Sequence, residues 1–251
     1  MNVKSYLQRI RYRGPTNVSV PTLHALHQAH LFAVPFENLS IHIGERIALS
    51  ENWLYRKVVE RNRGGFCYEL NGLFAALLRN LGFSVSLLAA RVADNEGFGQ
   101  PFDHLVLRVD LEESWLVDVG FGDSFLTPLP LQTSAPQTQK SGVFRVIHGG
   151  DEYLLQTQAS TGEKWQNRYT FSLTPHPLDA FKTMCTYHQT SKDSSFTQKM
   201  ICTLPTKSGR ITLSGDDLIE THNGTRTVRK LSGPNLREIV LEEMFDIKLG
   251  R

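Results

Sequence analysis

Apolar positions at Leu70, Leu73, Phe74, Leu77, Leu78 and Leu81 recur at helical spacing and predict a one-sided helix ending at Gly82, a natural left-handed stop. The pattern then changes period. Ser84–Val92, His104–Val109 and Trp115–Val119 are short runs rich in β-branched and apolar residues and read as strands, as do Val143–Ile147 and Tyr153–Gln158. Gly149-Gly150-Asp151 marks a turn between the last two. Residues 127–141, with three prolines among Thr, Gln and Ser, read as a loop. Residues 1–82 read as mainly helical, with breaks at Gly14-Pro15 and Pro35. A final helix is expected from about Ser232-Gly233-Pro234, burying Leu236, Ile239, Val240 and Met244.

The polar connection Asp110–Ser114 is of hairpin length. Centred on Leu111, the hairpin sets Val109 opposite Glu113, Leu107 opposite Trp115 and His104 opposite Asp118. Directly opposed side chains share a face with Cβ atoms ~4.5–5.5 Å apart, close enough for an imidazole and a carboxylate to hydrogen-bond. A one-residue slip would separate them onto opposite faces, and no Asn-Gly or Asp-Gly turn pins the register. Asp118 interrupts an apolar run, where an unpaired carboxylate is costly.

Cys67 opens the amphipathic helix directly after Arg63-Gly64-Gly65-Phe66. The glycine pair opposes an earlier helical start and leaves the backbone room for a close approach. Unpaired N–H groups and the macrodipole at a first helical turn favour an anion and can draw a thiol pKa from ~8.5 into the range ~3.5–7.5. The plainer alternative is packing, because Cys67 lies three residues before Leu70 on the apolar side. A thiol, an imidazole and a carboxylate together make the set that nucleophilic catalysis requires: the carboxylate orients the imidazole, which takes the thiol proton.

Arg-Gly-Gly-Phe-Cys at 63–67, His104 ahead of a strand and Asp-Val-Gly-Phe-Gly at 118–122 resemble the arylamine N-acetyltransferases. Pro-Phe-Glu-Asn-Leu at 35–39 and Tyr-Leu-Gln-Arg-Ile at 6–10 extend the resemblance. His-Pro-Leu-Asp-Ala-Phe at 176–181 and the Ser-rich stretch ending at Phe196 fit more loosely. The resemblance implies an α+β fold with a papain/transglutaminase-like catalytic core. Its parts are a helical domain with the nucleophile (1–83), a β-barrel-like domain with His and Asp (84–190) and a small α/β C-terminal lid (191–251). It implies a Cys67-His104-Asp118 triad that moves acetyl groups by a ping-pong route through a cysteine thioester. The donor substrate is acetyl-CoA, with no tightly bound cofactor and no metal. The acceptor is an arylamine, arylhydrazine or N-hydroxyarylamine. Phe36 and Phe121 become candidates for the acceptor pocket, and Glu37 and Arg63 for an ion pair behind the nucleophile; as residues alone, Phe36 reads equally as core and the charges as unrelated surface groups. Where the family commonly has Thr-His, this chain has Asp103-His104, so cofactor contacts made by the preceding residue do not carry over. Phe66, Phe102, Phe121 and Phe125 lie near the triad in sequence and suit an apolar pocket that keeps water from an acyl intermediate. A thiol hydrolase or an amide synthase could use the same triad; a binding module without catalysis would not need it.

Composition narrows the field. The 251 residues are 40% apolar and 21% charged with net charge +2, enough for a sizeable core and ordinary for a globular protein. No basic run with interleaved aromatics points to nucleic acid. No leader-like N-terminus or ~20-residue apolar segment points to a membrane. Three scattered cysteines, Cys67, Cys185 and Cys202, fit reduced thiols in the cytoplasm. His24, His27 and His30 step around their helix with no acidic or cysteine ligand nearby, so a solvated or capping face is expected rather than a metal site.

Overall fold

The computed structural model describes residues 1–159, 162–233 and 235–249. The chain begins with helices α1 (Val3–Arg9) and α2 (Val20–Ala33), the two-residue strand β1 (Phe36–Glu37) and helices α3 (Leu39–His42) and α4 (Glu51–Tyr55). A π-helical turn over Arg56–Glu60 precedes α5 (Cys67–Asn80), the helix its periodicity predicts, stopped by Gly82 at φ +94°. Strands β2 (Ser84–Val92), β3 (His104–Asp110), β4 (Ser114–Val117), β5 (Leu129–Pro130), β6 (Gln137–Gln139), β7 (Gly142–Gly149), β8 (Glu152–Gln158) and β9 (Gln166–Pro175) follow. A 3-10 turn at Leu178–Phe181, α6 (Lys182–Thr190) and α7 (Ser195–Gln198) lead to β10 (Ile201–Thr206), β11 (Gly209–Ser214), β12 (Asp217–His222) and β13 (Thr225–Lys230), and α8 (Leu236–Phe245) closes the chain.

Eight strands form one antiparallel sheet in the order β5-β4-β3-β2-β9-β8-β7-β6, curled until β5 meets β7 into a nearly closed, barrel-like form. The mixed α+β architecture agrees with expectation. Both faces of β2 and β3 are covered, which is why they read as apolar runs rather than alternations. Leu87, Leu105, Leu107 and Val109 pack with α5 and the N-terminal helices. Leu88, Ala90, Val106 and Leu116 point the other way, into the barrel with Phe125, Phe144 and Tyr169. A second sheet, β1-β10-β11-β12-β13, stitches the N-terminal segment to the C-terminal part, where Leu39, Cys202, Leu213, Val240 and Phe245 form a third cluster.

Three expectations are corrected. The stretch 127–141 is not all loop, since β5 and β6 lie within it. The last helix buries Val240, Leu241 and Phe245 while Ile239 is exposed; it begins at Leu236 after Asn235, and Pro234 lies outside the described residues. The β3–β4 turn is centred on Glu112, not Leu111: Leu107 faces Val117, Arg108 faces Leu116, Val109 faces Trp115 and Asp110 faces Ser114. Every partner moves by two residues. Because side chains alternate with period two, a two-residue shift leaves each on its expected face. Asp118, one residue beyond β4, is therefore diagonal to His104 instead of opposite it, still on the same side.

Candidate active site

Cys67 is the first residue of α5 and is buried. The turn ahead of it is crowded, not open to a ligand. A Cβ on Gly64 would come within 1.9 Å of the Pro35 carbonyl oxygen, and one on Gly65 within 2.7 Å of the Glu69 carboxylate. Glu69 Oε2 accepts from the Phe66 N–H at 3.2 Å, capping the helix start. Lys57, also buried, meets both Glu69 oxygens at 2.8 and 2.9 Å. The Glu37–Arg63 pair forms as the resemblance implies: Arg63 Nε and Nη2 lie 3.0 and 2.9 Å from Glu37 Oε1, both side chains buried. Surface placement of these charges is excluded. Lys57 and Glu69 belong to the same network, at 3.8 Å from Lys57 Nζ to Glu37, and sequence reasoning passed over them.

His104 Nε2 lies 2.8 Å from Asp118 Oδ2, with both groups buried. The other carboxylate oxygen accepts from Asn71 Nδ2 at 2.8 Å and the Gly120 N–H at 2.9 Å. Burial disfavours the Asp118 charge, but His104, Asn71 and Gly120 outweigh it and hold the carboxyl below its ordinary value. Asn71 also donates to the Leu105 carbonyl at 2.6 Å and accepts from the Val119 N–H at 2.9 Å. It thus links helix, base strand and aspartate loop. Its signal was available: four residues after Cys67, it shares that residue's helix face.

The Leu105 backbone acts on the Cys67 thiol and lowers its pKa, which puts the residue after His104 beside Cys67. Gly120 comes closer still: a Cβ there would lie 2.7 Å from Cys67 Cα and 2.8 Å from Asn71 Nδ2. Burial, with Cys185, Asp118 and Asp103 adding to it, pushes the Cys67 thiol well above its ordinary pKa despite the Leu105 backbone. The expectation of a lowered value from the helix terminus alone is therefore not met. A thiolate buried here needs a positive charge to stabilise it.

The pocket candidates take separate places. The Phe121 ring stands edge-on to His104 at 5.1 Å and against Tyr169 at 5.2 Å, while Phe36 packs across Gly122 and against Phe196 at 6.2 Å. Phe66 also meets Phe196, at 5.6 Å. Phe102 turns to His176 and Phe181, and Phe125 stacks on His27, so these two shape the surroundings. Tyr169, missed in sequence, packs 5.2 Å from His104; burial and the neighbouring Asp118 push its phenol up.

The histidine face is neither solvated nor capping at two of its three positions. His27 and His30 are fully buried. His27 sets its ring nitrogens 3.1 Å from the carbonyl oxygens of Leu126 and Asp118, and burial lowers its pKa to about 4. His30 Nδ1 meets the Tyr6 hydroxyl at 2.9 Å. Among the described residues no group of three His, Cys, Asp or Glu side chains is arranged to hold a metal.

This geometry can be set beside known proteins. The family model described as N-acetyltransferase matches residues 19–251. A pineal gland arylamine N-acetyltransferase isozyme, NAT-10, of Gallus gallus is 37% identical, over 100% of this chain and 96% of its own. The chain belongs to the arylamine N-acetyltransferase family. Enzymes of this family transfer acetyl groups to arylamines, and this chain is an acyltransferase of that class. The structure of a Mycobacterium smegmatis arylamine N-acetyltransferase superposes with TM-score 0.92 at 32% identity, covering 100% of this chain and 94% of that one. The Mycobacterium marinum enzyme, solved in complex with CoA, gives TM-score 0.90 at 32% identity over 98% and 93%. Among the described residues no helix is long and apolar enough to cross a membrane.

Proposed function

We propose that Cys67, His104 and Asp118 carry out ping-pong transfer from acetyl-CoA to an arylamine, arylhydrazine or N-hydroxyarylamine. His104 Nε2 is committed to Asp118, so Nδ1 is the nitrogen left to take the thiol proton. The thiolate attacks the thioester carbonyl, and first-turn N–H groups of α5, which have no acceptor inside the helix, face the developing oxyanion. The carbon–sulfur bond to CoA breaks and the departing thiolate takes the imidazolium proton. The acceptor nitrogen then attacks the acetyl-cysteine, gives its proton to His104 and releases the Cys67 thiolate. Aromatic amines are weakly basic and arrive neutral near pH 7 as competent nucleophiles. Phe36 and Phe121 wall the acceptor side.

The complex of a family member with CoA supports the donor, which acts as a substrate and not as a resident cofactor. Three free cysteines support a reducing, cytoplasmic setting. The separate sheets support a division into 1–83, 84–190 and 191–251, with β1 and the packing of Phe181 and Cys185 on the helical core joining the parts. One observation carries the mechanism: the fully satisfied Asp118 carboxylate bonded to His104, on a strand whose Leu105 backbone acts on the Cys67 thiol.

The test is intact mass spectrometry. Acetyl-CoA alone should add one acetyl group, and an aryl hydrazine should remove it as acetyl-hydrazide while free CoA accumulates. Steady CoA release without any acceptor would identify a thiol hydrolase. Preference for a longer acyl donor would identify an amide synthase.

A further inference from the structure

The segment leading into His104 is held by groups the chemistry above does not use. Phe102, two residues before the base, has a left-handed backbone at φ +65°. A bulky residue keeps that conformation only where its surroundings hold it. The Tyr68 hydroxyl lies 2.8 Å from the Phe102 carbonyl and 3.1 Å from that of Asp103, and donates between them. The Asp103 side chain turns the other way. Its Oδ1 lies 3.1 Å from His188 Nε2, off the line of a straight hydrogen bond.

The opposite edge of the His188 ring reaches the pocket wall. His188 Nδ1 lies 3.0 Å from Ser194 Oγ, which accepts from the Phe196 N–H at 3.3 Å. The ring also meets Phe196 edge-on at 5.1 Å. Phe196 in turn packs on Phe66 and Phe36. One buried imidazole therefore spans from the residue before the base to the aromatic turn beside the acceptor pocket. Neither ring nitrogen is idle, and neither touches the triad.

We infer that His188 is a positioning residue that sets His104 through Asp103 and sets the acceptor-pocket wall through Ser194 and Phe196. Asp103 stands where the family commonly has threonine, so this chain gains a carboxylate for His188 to hold. The inference rests on the Cys67–His104 chemistry proposed above.

Two amide substitutions separate the arms. A glutamine amide nitrogen reaches where Nε2 was, and an asparagine amide nitrogen sits where Nδ1 was. His188→Gln keeps the Asp103 contact and loses Ser194; His188→Asn does the reverse. Two readouts match them: the single-turnover rate of Cys67 acetylation without acceptor, and the KM for an aryl hydrazine. For His188→Gln, the KM should rise at least fivefold with acetylation within twofold of wild type. For His188→Asn, acetylation should slow at least tenfold with the KM within twofold. Variants that move both readouts together, or neither, overturn the inference. Should either variant fail to fold, Asp103→Asn and Ser194→Ala cut the same arms at their outer ends and must give the same split. Failure of the underlying chemistry is distinct: wild type would then carry no acetyl adduct on Cys67.

Discussion

Replacing Asp118 by asparagine keeps its shape and removes its charge, and the structure fixes which way the amide must face. The Oδ1 position receives two donors, Asn71 Nδ2 and the Gly120 N–H. Turning the new NH2 towards them sets donor against donor, at about 1–3 kcal/mol for each buried group left unpaired. The amide oxygen therefore stays with Asn71 and Gly120, and the NH2 points at His104 Nε2. That nitrogen must now accept, so the ring proton moves to Nδ1, the atom needed as base. The corresponding carboxylate-to-amide change in serine-protease triads costs about 10⁴ in kcat, or roughly 5.5 kcal/mol of barrier. We expect a loss of 10²–10⁴ in Cys67 acetylation near neutral pH, the lower bound allowing for a thiol's greater intrinsic reactivity. The assay is single-turnover acetylation, alongside the pH dependence of Cys67 alkylation, whose midpoint should move upward. Stability responds with a defined sign. The folded Asp118 pKa lies below its ordinary 3.8, so its contribution is fully present above that value and is lost as pH falls through the lower folded value. Asp118→Asn should flatten that acid limb of the stability curve. Coincident alkylation curves with normal turnover would refute the assignment of Asp118 as the orienting group.

Cys67→Ala should keep the fold and lose the acetyl adduct; an adduct that persists in the variant assigns the nucleophile elsewhere. Burial raises all three thiols, so iodoacetamide should label Cys67 ahead of Cys185 and Cys202 only if His104 takes its proton, as read by peptide mapping. Gly120→Ala forces a methyl group to within 2.7 Å of Cys67 Cα, so both acetylation rate and stability should fall, the latter by about 1–3 kcal/mol in urea unfolding. An unchanged unfolding midpoint would show that this loop yields freely. Lys57→Met strands Glu69 in the interior, while Glu37 keeps Arg63, and should cost about 3–5 kcal/mol at pH 7. Part of that loss should return at pH 5, because burial already raises Glu69 and lets it take up a proton; a cost under about 1 kcal/mol would place the network's weight on Arg63.

Legibility in the sequence followed the strength of local pattern. The helix at Cys67–Asn80 was readable because six apolar residues and a terminal glycine agree, and β2 because nine residues carry one signal. Strands β5 and β6 were not, since two or three residues cannot display an alternation and proline argued against them. Cys67, His104 and Asp118 stood out because each departs from the pattern around it. Asn71 did not, because its place on the apolar side of the helix, four residues after Cys67, names no partner by itself. Lys57 and Glu69 failed for the same reason. Nothing in one sequence shows that two charges twelve residues apart meet at 2.8 Å inside the protein. His27 and His30 were misplaced because their partners, Asp118, Leu126 and Tyr6, come from other elements.

Why His104 and Asp118 still meet despite the wrong register follows from where they and Cys67 sit. Each lies at the end of an element: Cys67 is the first residue of α5, His104 the first of β3, and Asp118 the first beyond β4. Antiparallel pairing brings the start of β3 and the end of β4 to the same edge of the barrel whether the turn centres on residue 111 or 112. Alternation then puts His104 and Asp118 on the face that Val106 and Leu116 turn into the barrel, while Leu105 and Val117 face α5. Cys67 and His104 thus approach from opposite faces of the sheet. They can meet only around its end, where the ladder has stopped. Gly120 is the residue at that edge, and its missing Cβ is what lets the aspartate loop lie directly against the Cys67 backbone. A one-residue slip would have turned Asp118 among Leu105, Leu107 and Val117 and away from His104. The cost of burying that charge without its imidazole favours even spacing of the register.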